Sequence, residues 1–223
     1  MTSGDSAPPT RASLRSASPF AWPRDISPAE RKSLIAGGLG WMLDAMDVML
    51  YSFVLAYLMT EFGMSKSTGG FLNSLTLIAS AIGGLLFGVL ADRFGRTRAL
   101  MGSILVYSIS SAACGLSHSI PQLAAFRFLL GLGMGGEWSS GAALIAETWR
   151  AEHRGRALGL MQSSYAIGEA VAAIIVLIVF PHFGWRAVFF AGVLPAFLAF
   201  WIYRGVPEPE TFRSWWGKRR TSP

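Results

Sequence analysis

A dense charged turn, Gly88-Val-Leu-Ala-Asp92-Arg93-Phe-Gly95-Arg96-Thr-Arg98, stands between two long apolar runs at about residues 68–91 and 99–116. As a helix, each run is long enough to cross a hydrocarbon core of about 30 Å. Four ionisable groups packed so closely cannot enter that core cheaply, so they pin two helix ends to one aqueous face. Three of the four are arginines, and arginine-rich short loops stay on the cytoplasmic side. This one turn demands a membrane protein and orients it.

Composition agrees with that reading. Only 14% of the residues are charged, 52% are hydrophobic, and the mean hydropathy is +0.43. A soluble domain carries about a quarter charged residues. A net charge of +6 and a pI near 10.0 would suit a nucleic-acid partner if the basic residues gathered on one soluble face. They sit between apolar spans instead, so the expected partner is the lipid bilayer and not nucleic acid. The single cysteine, Cys114, lies inside an apolar run and excludes a disulfide framework or a cysteine metal cluster. Residues 1–32 are rich in Ser, Pro, Ala and Arg, with no cleavable signal pattern, and predict a disordered basic cytoplasmic tail.

Six transmembrane spans emerge, at about 34–60, 68–91, 99–116, 122–148, 157–180 and 185–203. The fold expected is therefore all-α, with a six-helix membrane domain over 33–205 and a cytoplasmic tail over 206–223. Placing both termini in the cytoplasm puts sixteen of the 19 basic residues there, in the two tails and in the 2–3 and 4–5 loops. Only Lys66 and Arg186 fall on the opposite side, with Arg127 inside span four. That asymmetry fixes the expected topology.

The spans differ in polarity. Span three carries only Ser, Tyr and Cys as polar groups, and span six is uncharged between Arg186 and Arg204, so both can face lipid. Spans one, four and five carry Asp44, Asp47, Arg127, Glu137 and Glu169. Ionisable groups at membrane depth face a bundle interior or a watery cavity, which predicts a pathway lined by these three spans.

On span one, Gly37, Gly40, Asp44, Asp47 and Tyr51 recur every three or four residues and form one helical stripe. Two carboxylates one turn apart repel, which suits one of them to carry a proton; the alternative is a structural hydrogen bond to a neighbouring helix. Arg127 lies roughly 9 Å in from the outer end of span four and Asp47 roughly 20 Å up from the inner end of span one, at about 1.5 Å per residue. The two depths nearly coincide, so an Asp47–Arg127 pair is allowed, either as a proton-gated anion site or as a structural ion pair. Glu137 falls nearer the cytoplasm, and Gln162, Tyr165 and Glu169 share a face of span five. Glu147, Thr148 and Arg150 end span four where a charge network with the 2–3 turn is expected. Gly131, Gly133 and Gly136 formally match a dinucleotide fingerprint, but the strand that it requires is missing. In a membrane helix, glycines at this density admit a neighbouring backbone, and the same is expected of Gly84, Gly88, Gly155 and Gly159. His118, His153 and His182 have no metal-ligand spacing, and no enzymatic motif is present. Neither an enzyme nor a cofactor is expected.

The turn at Gly88, Asp92, Arg93, Gly95 and Arg96 resembles the signature between helices two and three of the major facilitator superfamily of secondary transporters. Arg127-x-x-x-Gly131-x-Gly133 is similar to that family's helix-four signature, and Val206-Pro-Glu208-Pro to the acidic motif after helix six. Spans one and four further resemble the metabolite–proton symporter branch, whose members carry sialic acid, aromatic acids or monocarboxylates. The resemblance implies the N-terminal six-helix half of a twelve-helix carrier in the cell or inner membrane. Its substrates would be a small organic acid and a proton, and its partner a second six-helix half that Asp92 would touch. It also implies transport roles for Asp44, Asp47 and Arg127, and conformational gating by Asp92 and Arg93. A half alone is expected to be inactive. The alternatives are half of a neutral sugar porter and a non-transporting truncated membrane subunit.

Overall fold

The structure, a computed structural model, describes residues 26–208, and these are helical almost throughout. Most of the two expected tails, at 1–25 and 209–223, lies outside the described residues. Six α-helices follow one another: α1 (Pro28–Glu61), α2 (Lys66–Phe94), α3 (Arg96–Gly115), α4 (Ile120–Thr148), α5 (Ala151–Phe190) and α6 (Leu194–Gly205). A short 3-10 turn, Ala191–Val193, joins the last two.

Local chemistry explains the boundaries. The α1 helix starts at Pro28, ahead of the apolar run, because Ser27 and Glu30 form a capping box. The Glu30 N–H donates to Ser27 Oγ at 3.2 Å, and the Ser27 N–H donates to Glu30 Oε2 at 2.8 Å. Residues 28–32 are thus the first turn of the bundle rather than part of a disordered tail. Ser65 and Ser119 cap α2 and α4 more simply, each side chain accepting from the backbone N–H of Thr68 or Gln122. Gly95 alone separates α2 from α3, at φ 111°, a conformation that a side chain would strain. Gly184, at φ 72°, breaks the long α5 where the sequence places the junction of spans five and six.

The sixth expected span is not one continuous helix. It comprises the end of α5, the 3-10 turn and α6, because Pro195 in the first turn of α6 offers no N–H to continue the α ladder. Three stretches are long and apolar enough to cross a membrane: Pro28–Glu61, Lys66–Phe94 and Ala151–Ile202.

The α4 helix lies at the centre, packed on α2, α3 and α1, while α5 covers α1 and α6 covers α3. Its glycines make this possible. A methyl group at Gly131 would stand 2.8 Å from Ala79 Cβ on α2, and one at Gly133 would stand 2.6 Å from Tyr107 Cβ on α3. Gly84 also packs, against Gly135, but Gly88, Gly155 and Gly159 have open space around them. Among the described residues no helix packs against those three, so the expected close approach is not made within this bundle.

On α3, Ser103, Tyr107, Ser108, Ser111 and Cys114 are buried while Leu105, Val106 and Ile109 are exposed, so the helix turns its polar stripe inward and an apolar face outward. The large exposed apolar side chains stand chiefly on α2, α5 and α6, among them Leu85, Leu177 and Phe197. An apolar exterior of this kind suits hydrocarbon rather than water.

Candidate functional site

The whole stripe of α1 is buried. Gly37 packs on Ile145 and Gly141 of α4, and Gly40 leaves the space that the Glu137 carboxylate occupies, with Glu137 Cδ 3.1 Å from where a Cβ would stand. Asp44, Asp47, Tyr51, Arg127 and Glu137 are each no more than 2% exposed. Three carboxylates and one guanidinium therefore share one interior between α1, α3 and α4.

Their pairing is incomplete. Among the described residues, no ion pair joins Asp47 to Arg127. Asp47 Oδ1 instead accepts a hydrogen bond from Ser111 Oγ on α3. The Arg127 guanidinium lies over the Tyr51 ring, 3.6 Å from its centroid, a contact worth about 2 kcal/mol when desolvated. The expected pair is displaced because a serine and an aromatic face stand nearer to each charge. The Tyr51 hydroxyl donates to the Gly69 carbonyl at 3.4 Å, tying α1 to α2. Among the described residues, Asp44 Oδ1, Asp47 Oδ2, both Glu137 oxygens, Arg127 Nε and Nη1, and the Tyr107 hydroxyl find no hydrogen-bond partner. Buried polar groups in this condition recruit water or a ligand.

Asp44 also borders a cleft of 670 Å³ between α1, α2, α4 and α5, a volume suited to a small ligand. Trp41, Trp138 and Tyr165 line it as an aromatic wall, with Ser80, Met134 and Ser139 among the other lining residues. Trp41 is 5.4 Å from Tyr165 and 6.4 Å from Trp138, ring centroid to centroid. The lining contains no cationic side chain.

Of the residues singled out in the sequence, Asp44 and Tyr165 reach the cleft. Asp47, Tyr51 and Arg127 form a separate buried cluster, and Glu137 lies behind Gly40. Gln162 and Glu169 are exposed and outside the cleft lining. Sequence reasoning missed Trp41, Trp138, Ser111 and Tyr107. The first two could have been found, since a tryptophan three residues from Asp44 and another beside Glu137 lie within the spans and not at the interface.

The signature turn makes a second site, at the other end of α2. Arg96 Nη1 lies 2.6 Å from Asp92, and its Nη2 lies 2.8 Å from Glu147 at the end of α4, the network that the sequence predicts there. Burial opposes the Arg96 charge, but Glu147 and Asp92 outweigh it and hold its pKa above the ordinary value. Glu208, after α6, accepts from the backbone N–H groups of Thr97 at 3.1 Å and Arg98 at 3.2 Å. It caps the start of α3, where the helix dipole favours a carboxylate. Asp92 and Arg93 stay exposed. Nearby, Glu30 accepts from Arg150 through its N–H at 3.3 Å and its Nε at 3.2 Å. At the opposite end, Glu61 pairs with Arg186 at 2.7 Å and accepts from Trp185 Nε1.

These features fit a known family. A family model described as the Major Facilitator Superfamily matches residues 38–222. The chain belongs to the major facilitator superfamily. Curated superfamily relatives include a probable 4-methylmuconolactone transporter of Cupriavidus pinatubonensis, 38% identical over 86% of this chain and 46% of that protein. The niacin transporter NiaP of Acinetobacter baylyi is 39% identical over 77% and 39%. The sialic acid transporter NanX of Escherichia coli is 32% identical over 85% and 47%. The chain spans about half the length of these relatives, or less. The superfamily fold is shared with the partially occluded, inward-open xylose transporter XylE of E. coli, at TM-score 0.76 and 24% identity over 87% of this chain and 52% of that one. It is shared also with a bacterial homologue of the human lysosomal transporter Spinster, at TM-score 0.74 and 21% identity over 82% and 46%. The superfamily is one of integral membrane transporters and not of enzymes, so the membrane setting expected from the sequence holds.

The Glu30 contacts carry a pH signature. Burial pushes the carboxyl up, but hydrogen bonds from Ser27 and Arg150 outweigh it and leave the pKa below the ordinary 4.5. Its stabilising effect is complete above that value and is lost as pH falls through the lower folded value. Thermal unfolding of the purified chain in detergent should therefore show a stability loss in this acid window that Glu30→Gln flattens. At neutral pH the variant should be less stable by roughly 1 kcal/mol. Identical pH profiles for the two proteins would contradict the assignment.

Proposed function

We propose that this chain forms the N-terminal six-helix half of a secondary transporter that carries a small organic acid together with a proton. In this reading all six helical passes cross the membrane, and both ends of the half lie in the cytoplasm. The observation that carries it is Asp44: a buried carboxylate with an unpartnered oxygen, at the wall of a cleft with aromatic sides. An ionised Asp44 would repel an anion from that cleft, whereas a protonated Asp44 can donate a hydrogen bond to it. With no cation in the lining, anion entry is tied to protonation. That link is symport at its simplest.

The residues divide the work. Asp44 meets the substrate and the proton, and Trp41, Trp138 and Tyr165 supply apolar and π contacts. Asp47 and Arg127 hold a second charged level between α1, α3 and α4, where a change at Asp47 alters how the helices lock. At the cytoplasmic rim, Arg96, Glu147 and Glu208 fasten the ends of α2, α3, α4 and α6, while exposed Asp92 and Arg93 face a second half. The names of the relatives, transporters for niacin, sialic acid and 4-methylmuconolactone, favour an organic acid. A neutral sugar is the second reading, because a cleft with aromatic walls and no cation also suits a sugar face.

Two measurements test this. A membrane-impermeant amine reagent should label Lys66 from outside the cell only, and labelling from the inside alone would invert the topology. The chain can then be co-expressed with the C-terminal half of the niacin transporter. Nicotinate uptake driven by a proton gradient should fall in Asp44→Asn by roughly a hundredfold, the scale of losing a proton-transferring group. Unchanged gradient-driven uptake would remove Asp44 from coupling, and uptake of a hexose but not of nicotinate would establish the sugar reading.

A further inference from the structure

Tyr107, on α3, has no place in the transport scheme above, yet it lies buried where α3 packs on α4. It is fully buried, and its hydroxyl has no protein partner. Tyr107 stands one helical turn before Ser111, which holds Asp47, and packs on Gly133, one turn before Glu137 on α4. Gly133 creates this placement, since a side chain there would stand 2.6 Å from the Tyr107 backbone nitrogen and push α3 off α4. The carboxylates themselves fall into two groups. Glu137 fills the space at Gly40, one helical turn before Asp44, and Asp44 opens to the cleft. Asp47 lies deeper, bonded to Ser111 on α3 and pressed against the 3-10 turn before α6, where a Cβ on Gly192 would be 2.9 Å from its Oδ1.

Charge counting gives this arrangement a purpose. Among the described residues, the interior holds Asp44, Asp47 and Glu137 against one cation, Arg127. A net charge of two is costly in a desolvated interior, which favours protons on two of the carboxyl groups. Protons that enter from the cleft at Asp44 then need a path to Asp47, which does not reach the cleft.

We propose that Tyr107 is the proton relay between the Asp44–Glu137 pair and Asp47, working with ordered water. In one transfer, the O–H bond of the donor carboxyl breaks and its proton passes to the bridging oxygen. The phenol's own proton moves on to the acceptor carboxylate at the same time. One O–H bond forms for each that breaks, Tyr107 ends neutral, and one charge has moved from one level of the interior to the other. Asp47 then exchanges its hold on Ser111 and the turn at Gly192, which passes the proton's arrival to α3 and α6. The proposal rests on the proton-coupled reading above.

Tyr107→Phe removes the hydroxyl and keeps the ring. In the purified chain, infrared difference spectroscopy after transfer into heavy water follows deuteration of the buried carboxyl groups, with the Asp47 band identified by its loss in Asp47→Asn. The Asp47 band should exchange at least about tenfold more slowly in Tyr107→Phe. Thermal stability should be unchanged, because the lost hydroxyl had no partner. Equal exchange rates, or no Asp47 carboxyl band in the unaltered chain, would overturn the relay. With a second half supplied, gradient-driven nicotinate uptake should fall in this variant while exchange of labelled for unlabelled nicotinate persists. An equal loss of both would make Tyr107 a substrate contact instead. If the unaltered transporter shows no proton dependence, the symport reading falls, while the exchange rates in the chain alone still decide the relay.

Discussion

The cost of holding ionisable groups inside an apolar bundle governs this structure. Asp44, Asp47, Glu137 and Arg127 are almost wholly buried, and each unpaired ion in such a place costs several kcal/mol. The chain meets that cost by local means. Tyr51 offers its ring to Arg127, Ser111 offers its hydroxyl to Asp47, and Gly40 leaves space for Glu137. Small residues recur around the charged level for this reason. They let α2, α3 and α1 close on α4 so tightly that the polar groups meet one another instead of lipid. Several oxygens nevertheless keep no protein partner, and this residual demand is what a proton, water or a substrate can satisfy.

The charged interior and the rim at the signature turn behave as two ends of one device. At the rim, Glu208 caps α3, Arg96 binds Glu147, and Glu30 binds the start of α5 through Arg150. These contacts tie helix ends rather than helix middles, so they hold the six helices as one body. In the interior, Asp47 touches α3 and the turn at Gly192, and Gly184 breaks α5 just before it. A body fastened at its rim and adjustable near its centre suits rocking against a second half.

Much of the fold was legible in the sequence. Apolar run lengths and the charged turn located the helical segments, because both follow from local composition, but not the break at Ala191–Val193 within the sixth. The buried status of Asp44, Asp47, Arg127 and Glu137 was legible too, since charge within a long apolar run has few other options. What the sequence did not reveal was which neighbour each group would meet. Helical spacing placed Asp47 level with Arg127, but only the packed structure puts Ser111 and the Tyr51 ring closer. The inward face of α3 was hidden for the same reason: serine and tyrosine are tolerated toward lipid and toward the core alike. Glycine spacing was equally ambiguous, with Gly133 essential to a helix contact and Gly159 facing open space. Gln162 and Glu169 show the converse, a shared helical face that the described bundle leaves exposed.

The central claim is that a carboxylate substrate and a proton enter the same interior together. Calorimetry of nicotinate binding to the two assembled halves, repeated in buffers of different ionisation enthalpy at neutral pH, counts the protons taken up on binding. The account predicts net uptake of about one proton per nicotinate, as a neutral Asp44 accompanies the anion. Binding with no proton uptake would contradict it.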